Sequence, residues 1–235
     1  MDNRIPGLDR ALHRRTSHHR FPHSPRAQAP FPTTSKLDAL ARCRAAIVDL
    51  DGTLVDTVGD FEKALGGALA DLGQRPVDAA FIRRTVGKGS EHLLKQTLAE
   101  VGAPADLYEQ AWARYQHHYL QINGQCSTLF PGVLEGLQAL KARGWRLVCT
   151  TNKPGAFARP LLEAKGLAPY FDHLFGGDAF PHKKPHPMPL LKACEALDLP
   201  PAQVLMVGDS RNDAEAARAA GCPVVLLSYG YNHGE

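Results

Sequence analysis

Five short, nearly unbroken apolar runs recur along the chain: "AAIVDL" (45–50), "WRLVCTT" (145–151), "HLFGG" (173–177), "VLMVGD" (204–209) and "VVLLS" (224–228). They do not alternate apolar with polar residues, so they suit strands covered on both faces. Between the later runs stand the helical patterns "GVLEGLQALKARG", "GAFARPLLEAKG", "MPLLKACEALDL" and "NDAEAARAAG". Gly144, Gly166 and Gly221 stand where helix C-termini favour a left-handed residue. Such strand–helix alternation predicts an α/β fold, a doubly wound parallel sheet.

The interval from about Thr57 to Thr128 breaks the alternation. It holds "FEKALGGALADLG", "SEHLLKQTLAEVG" and "PADLYEQAWARYQHHYLQING", all helical in pattern and with no good strand among them. Helix after helix directly behind the first strand predicts a small all-α insert above that strand's carboxyl end. The expected organisation is a catalytic core of residues 41–57 and 129–235, a helical cap over 58–128, and a basic extension over 1–40.

Charge separates that extension from the rest. Residues 1–44 carry nine Lys/Arg against three Asp/Glu, a net +6, whereas residues 45–235 carry eighteen against twenty-one, a net −3. Rich in Arg, His, Pro and Ser, residues 1–40 lack the apolar period needed to offset chain entropy and are expected to be disordered. They contain no apolar h-region and so are no secretory signal. Their composition fits an organellar transit peptide as well as sequence translated from upstream of the true start. The mildly acidic body argues against nucleic-acid binding. No run of about 18 apolar residues is present, so no membrane span is expected. Cys43, Cys126, Cys149, Cys194 and Cys222 are odd in number and never spaced as C-x-x-C, which suits reduced thiols of a cytoplasmic protein.

In a doubly wound sheet, ligands bind beyond the carboxyl ends of the strands. Asp49 and Asp51 follow the first run, Thr151 and Asn152 the second, and Asp209, Ser210 and Asp213 the fourth, while Lys183 and Lys184 precede a helix. Desolvation and repulsion both oppose gathering carboxylates at one rim. A hard divalent cation resolves the conflict, and Mg²⁺ prefers oxygen ligands while keeping positions for phosphate oxygens. One carboxylate is then placed to attack phosphorus and the other to protonate the leaving oxygen. Asp213 also has a plain structural reading, as the cap of the helix that follows it.

The strings "DLDGTLVD", "TTNKP", "KKPHP" and "GDSRND", in this order, resemble the four motifs of the haloacid dehalogenase superfamily over residues 45–235. The longer strings "GGDAFPHKKPHPMPLL" and "VGDSRNDAEAARAAGCPVVLLSYGYN" resemble its bacterial phosphoglycolate phosphatases. The resemblance implies that Asp49 is nucleophile and Mg²⁺ ligand, and that Asp51 is general acid/base and lends its carbonyl to the metal. It implies that Thr151 and Asn152 hydrogen-bond the phosphoryl group, that Lys184 pairs with phosphate and orients the nucleophile, and that Asp209 and Asp213 hold the metal. Gly52 and Thr53 are expected to allow close backbone approach to the phosphate. Family members usually continue beyond the position of Glu235 with a further strand and helix, so a less covered sheet edge is expected.

In the cap, glycines flank Lys88 in "TVGKGSEHLL" (85–94) and a helix opens at Ser90. A helix N-terminus favours anions, so Lys88 is a candidate for a substrate carboxylate. The implied function is hydrolysis of 2-phosphoglycolate to glycolate and phosphate through an aspartyl-phosphate. Another small phosphorylated metabolite (a sugar phosphate or pyrophosphate), a phosphomutase and an inactive binding protein are the rivals. The choice between monomer and homodimer stays open.

Overall fold

The computed structural model describes residues 35–232. The chain opens with α1 (Lys36–Ala41), β1 (Ala45–Val48) and β2 (Val55–Asp56). Four helices follow: α2 (Val58–Asp71), α3 (Ala79–Thr85), α4 (Ser90–Glu100) and α5 (Tyr108–Ile122). Next come β3 (Thr128–Leu129), α6 (Val133–Ala142), β4 (Arg146–Thr150), α7 (Gly155–Ala164) and β5 (His173–Phe175). The last elements are α8 (Met188–Leu197), β6 (Val204–Gly208), α9 (Arg211–Ala220) and β7 (Val224–Leu226).

All five apolar runs became strands of one parallel sheet, ordered β5-β4-β1-β6-β7. Both faces of its central strand are covered, which explains the lack of alternation. Ala46 and Val48 pack with Leu137 of α6 and Leu161 of α7, whereas Ala45 and Ile47 pack with Leu190 of α8 and Ala216 of α9. Burying a side chain such as Ile47 contributes about 1.5–3 kcal/mol.

Strand order places the site. From β1 the chain steps outward to β4 and β5, then returns to the other side of β1 for β6 and β7. The reversal falls between β1 and β6, and a crevice opens at the carboxyl ends of two strands that part company in this way. Val48 is level with Cys149 and with Val207. That register brings Asp49, Thr150 and Gly208 to the same height.

The helices α2 to α5 lie between β2 and β3, and α2 packs chiefly on α5. Phe61, Leu65, Tyr115 and Tyr119 form their shared core, which Phe157 of α7 and Tyr231 of the tail also join. The two chain crossings are tied together by an antiparallel ribbon, Val55 with Leu129 and Asp56 with Thr128. Two residues per strand are too few to leave a periodic signature, so this ribbon had no sequence signal. Asp60 fastens the same junction, accepting from Cys126 N at 2.7 Å and Gly124 N at 2.8 Å.

Residues 1–34 of the expected disordered extension lie outside the described residues. The end of that stretch differs from expectation: Lys36–Ala41 is helical, with Ser35 and Asp38 forming a capping box. On the edge strand β7, Val224 and Leu226 are exposed. All five cysteines are free thiols. Among the described residues no helix is long and apolar enough to cross a membrane.

Candidate active site

Asp49 continues β1 by donating its N–H to Val207 O at 3.0 Å, which fixes its carboxylate at the crevice. Asp209 leaves β6 beside it, and Asp213 stands in the first turn of α9. One oxygen from each of these three buried carboxylates lies within 4.8 Å of the others. Asp213 does cap its helix: its Oδ2 accepts from Asp209 N and Ser210 N at 3.1 Å and from Ser210 Oγ at 2.9 Å.

Lys184 sits among them with all three donors engaged. Its Nζ lies 2.9 Å from Asp49 Oδ1, 2.7 Å from Asp213 Oδ1 and 2.8 Å from Thr150 O. Burial opposes its charge, but Asp213 and Asp49 outweigh that and hold its pKa above the ordinary lysine value. One ammonium does not balance three carboxylates. Burial, with Asp213 beside it, pushes Asp49 well above the usual carboxylate range in spite of Lys184. Burial also raises Asp209 to about 6, with Thr53 opposing and Asp213 reinforcing. The donor set is all oxygen, buried and short of positive charge, and it fits a hard divalent cation.

Gly52 has φ +85°, and a Cβ added there would run into the Asp209 carboxylate and the Tyr231 ring. Only glycine lets the loop after β1 pass this close. Thr53 next to it donates from Oγ1 to Asp209 Oδ1 at 2.7 Å. Its hydroxyl therefore orients a candidate metal ligand, a role distinct from the expected approach to phosphate.

Above Asp49 and Asp51, helices α2 and α4 and the loop before α4 cover a chamber. Thr151, Asn152 and Lys153 line it from the core, and Phe61, Val86, Gly87, Gly89, Ser90 and Leu93 from the cap. Asn152 spends its amide on the walls, donating to Gly87 O at 2.9 Å and Lys184 O at 2.8 Å. That ties the cap loop to the core and leaves Asn152 Oδ1 buried without a protein partner. Thr151 Oγ1 accepts from Lys153 N at 3.1 Å.

Lys88 departs from its expected position. Its glycine neighbours line the chamber, but Lys88 lines a separate wide groove with Lys95, Lys183 and Arg211. Positive φ at Gly87 (123°) and Gly89 (94°) bends the loop so that backbone faces inward.

Two residues at the site were not anticipated. Lys153 is buried and bonds both oxygens of Asp51, at 2.8 and 3.0 Å. It stands inside the recognised string "TTNKP", so the signal was present but looked like a surface lysine. Tyr231, which lies near the end of the recognised string "VGDSRNDAEAARAAGCPVVLLSYGYN" but had no role assigned to it, donates from its N–H to Asp209 Oδ2 at 2.6 Å.

The family model of the haloacid dehalogenase-like hydrolases matches residues 43–221. The phosphoglycolate phosphatase of Thiobacillus denitrificans is 45% identical over 194 residues, 81% of this chain and 86% of that protein. That of Nitrosospira multiformis is 46% identical over the same shares of the two chains. A Haemophilus somnus crystal structure, described as a predicted phosphoglycolate phosphatase, superposes with a TM-score of 0.78. It is 34% identical, over 83% of this chain and 89% of that one.

Proposed function

The chain belongs to the haloacid dehalogenase-like hydrolases, and from that premise we propose that it is a Mg²⁺-dependent phosphatase releasing glycolate and phosphate from 2-phosphoglycolate. The observation that carries this reading is the placement of Asp49 and Asp51 at the floor of the chamber, with Lys184, Asp209 and Asp213 beside them. Relatives named phosphoglycolate phosphatase support the choice of ester.

Asp49 is the nucleophile. With Oδ1 held by Lys184, its other oxygen is free to attack phosphorus, and an aspartyl-phosphate forms as the ester P–O bond breaks. Asp51 gives its proton to the departing glycolate oxygen, then takes one from the water that hydrolyses the aspartyl-phosphate and restores Asp49. Thr151 stands in the chamber wall to bind the phosphoryl oxygens. Asp49, Asp209 and the carbonyl of Asp51 would hold Mg²⁺, with Asp213 supporting them; the bound ion supplies positive charge to the phosphoryl oxygens. Phe61, Val86 and Leu93 exclude water, which strengthens each charge interaction inside.

The reading also takes the enzyme to be cytoplasmic and to act on a small metabolite, without a nucleic-acid partner. Phosphate release from 2-phosphoglycolate, a hexose phosphate and pyrophosphate, with and without Mg²⁺, tests it. We expect release to require the metal and kcat/KM to be highest for 2-phosphoglycolate. A higher value for either other ester would overturn the substrate assignment.

A further inference from the structure

Lys153 belongs to the core loop after β4, yet its ammonium reaches into the cap. Nζ lies 4.3 Å from the ring centroid of Phe61 on α2 and 5.0 Å from that of Tyr119 on α5. Its side chain is 1% exposed, and its ammonium donates to both carboxylate oxygens of Asp51. A buried ammonium is costly unless charge and π-faces compensate it, and here both do.

We propose that Lys153 is the specificity-determining cation of the chamber, binding the substrate's carboxylate while it holds Asp51 toward the leaving oxygen. The proposal rests on the phosphoglycolate reading and extends it to small 2-phospho carboxylic acids as a class. In such an acid the ester oxygen and the carboxylate carbon are bonded to the same carbon. Whatever touches the group that protonates the ester oxygen therefore stands beside the carboxylate, and Lys153 touches Asp51. The other cations near the site are committed elsewhere. Lys184 has three acceptors for its three protons, and Lys88 and Lys183 line the outer groove. Without Lys153 the substrate carboxylate would face Asp51 across a water-poor chamber walled by Phe61 and Leu93, where like charges repel strongly.

The test compares 2-phosphoglycolate with 2-hydroxyethyl phosphate, which carries a hydroxymethyl group in place of the carboxylate. Wild type is expected to prefer the acid. Lys153→Gln and Lys153→Met should lose about 10- to 100-fold more kcat/KM on the acid than on the neutral ester, with the extra loss mainly in KM, the scale of one charge-assisted contact. Any loss common to both substrates reports the hold on Asp51. Equal losses on the two substrates would overturn the proposal. Lys88→Met, on an exposed loop, supplies a second reading that does not depend on the buried variants folding. It should keep the wild-type ratio of the two kcat/KM values, and collapse of that ratio would assign carboxylate recognition to Lys88 and also overturn the proposal. If wild type itself shows no preference for the acid, the phosphoglycolate reading falls and this inference falls with it.

Discussion

The hydroxyl of Tyr231 donates a 2.6 Å hydrogen bond to Asp56 Oδ1, joining the chain's last described turn to the first crossing between core and cap. The same hydroxyl accepts from Thr57 N at 2.8 Å, and the N–H of Tyr231 reaches Asp209. One residue thus contacts both the crossing and a candidate metal ligand. Arg83 of α3 also pairs with Asp56, at 3.1 Å, from the cap side.

Tyr231→Phe keeps the ring and the backbone bond to Asp209 but leaves Thr57 N and Asp56 Oδ1 each short of a partner. The expected cost is about 1–3 kcal/mol of unfolding free energy. Urea denaturation at fixed pH measures it. An unchanged midpoint would show that water replaces the hydroxyl at no cost. Burial raises the Asp56 carboxyl, but the bonds from Tyr231 and Arg83 outweigh it and hold the group below the usual range. Its pKa should therefore rise in the variant.

Asp49→Asn separates chemistry from stability. Loss of the nucleophile should lower kcat by roughly 10⁴-fold or more. Without metal the variant should nevertheless be more stable than wild type near pH 7, because the upward displacement of the Asp49 pKa means that its charge is disfavoured in the folded protein. Phosphate release and thermal unfolding in EDTA check the two effects. Retention of most activity would remove Asp49 from its role.

The metal-free protein should lose stability as pH rises from about 4 to about 6. Asp209 has a folded-state pKa of about 6, raised above the ordinary aspartate value of 3.8. A carboxyl displaced upward binds its proton more tightly when folded. Its contribution is full below the unfolded pKa and disappears as pH rises through the folded one. That displacement corresponds to about 3 kcal/mol. Denaturation in EDTA across this range should show the decline, Asp209→Asn should flatten it, and Mg²⁺ should offset it at the upper end. A wild-type profile as flat as that of Asp209→Asn would contradict the electrostatic account of the cluster.

Much of the fold was legible because its signals are local. An apolar run with no alternation means a doubly covered strand wherever it lies, and all five runs joined the sheet. The helices between β2 and β3 were equally plain, since α2 and α5 each repeat their apolar face over several turns. The ribbon of β2 and β3 was hidden, being held by pairing of residues 72 and 74 positions apart and not by any pattern of its own.

Sequence alone determined the strands, their order of polar endings, and the set of carboxylates that must share one rim, because residue type and spacing encode these directly. Tertiary structure alone decided which lysine faces the chamber. Lys88 and Lys153 both sit in polar loops beside the motifs, but the bend at Gly87 and Gly89 leaves one in the outer groove, while packing against Phe61 and Tyr119 draws the other inward. The contact of Lys153 with Asp51 spans 102 residues, and that of Tyr231 with Asp209 spans 22. Such contacts depend on how separate segments pack, and no periodicity along the chain records them.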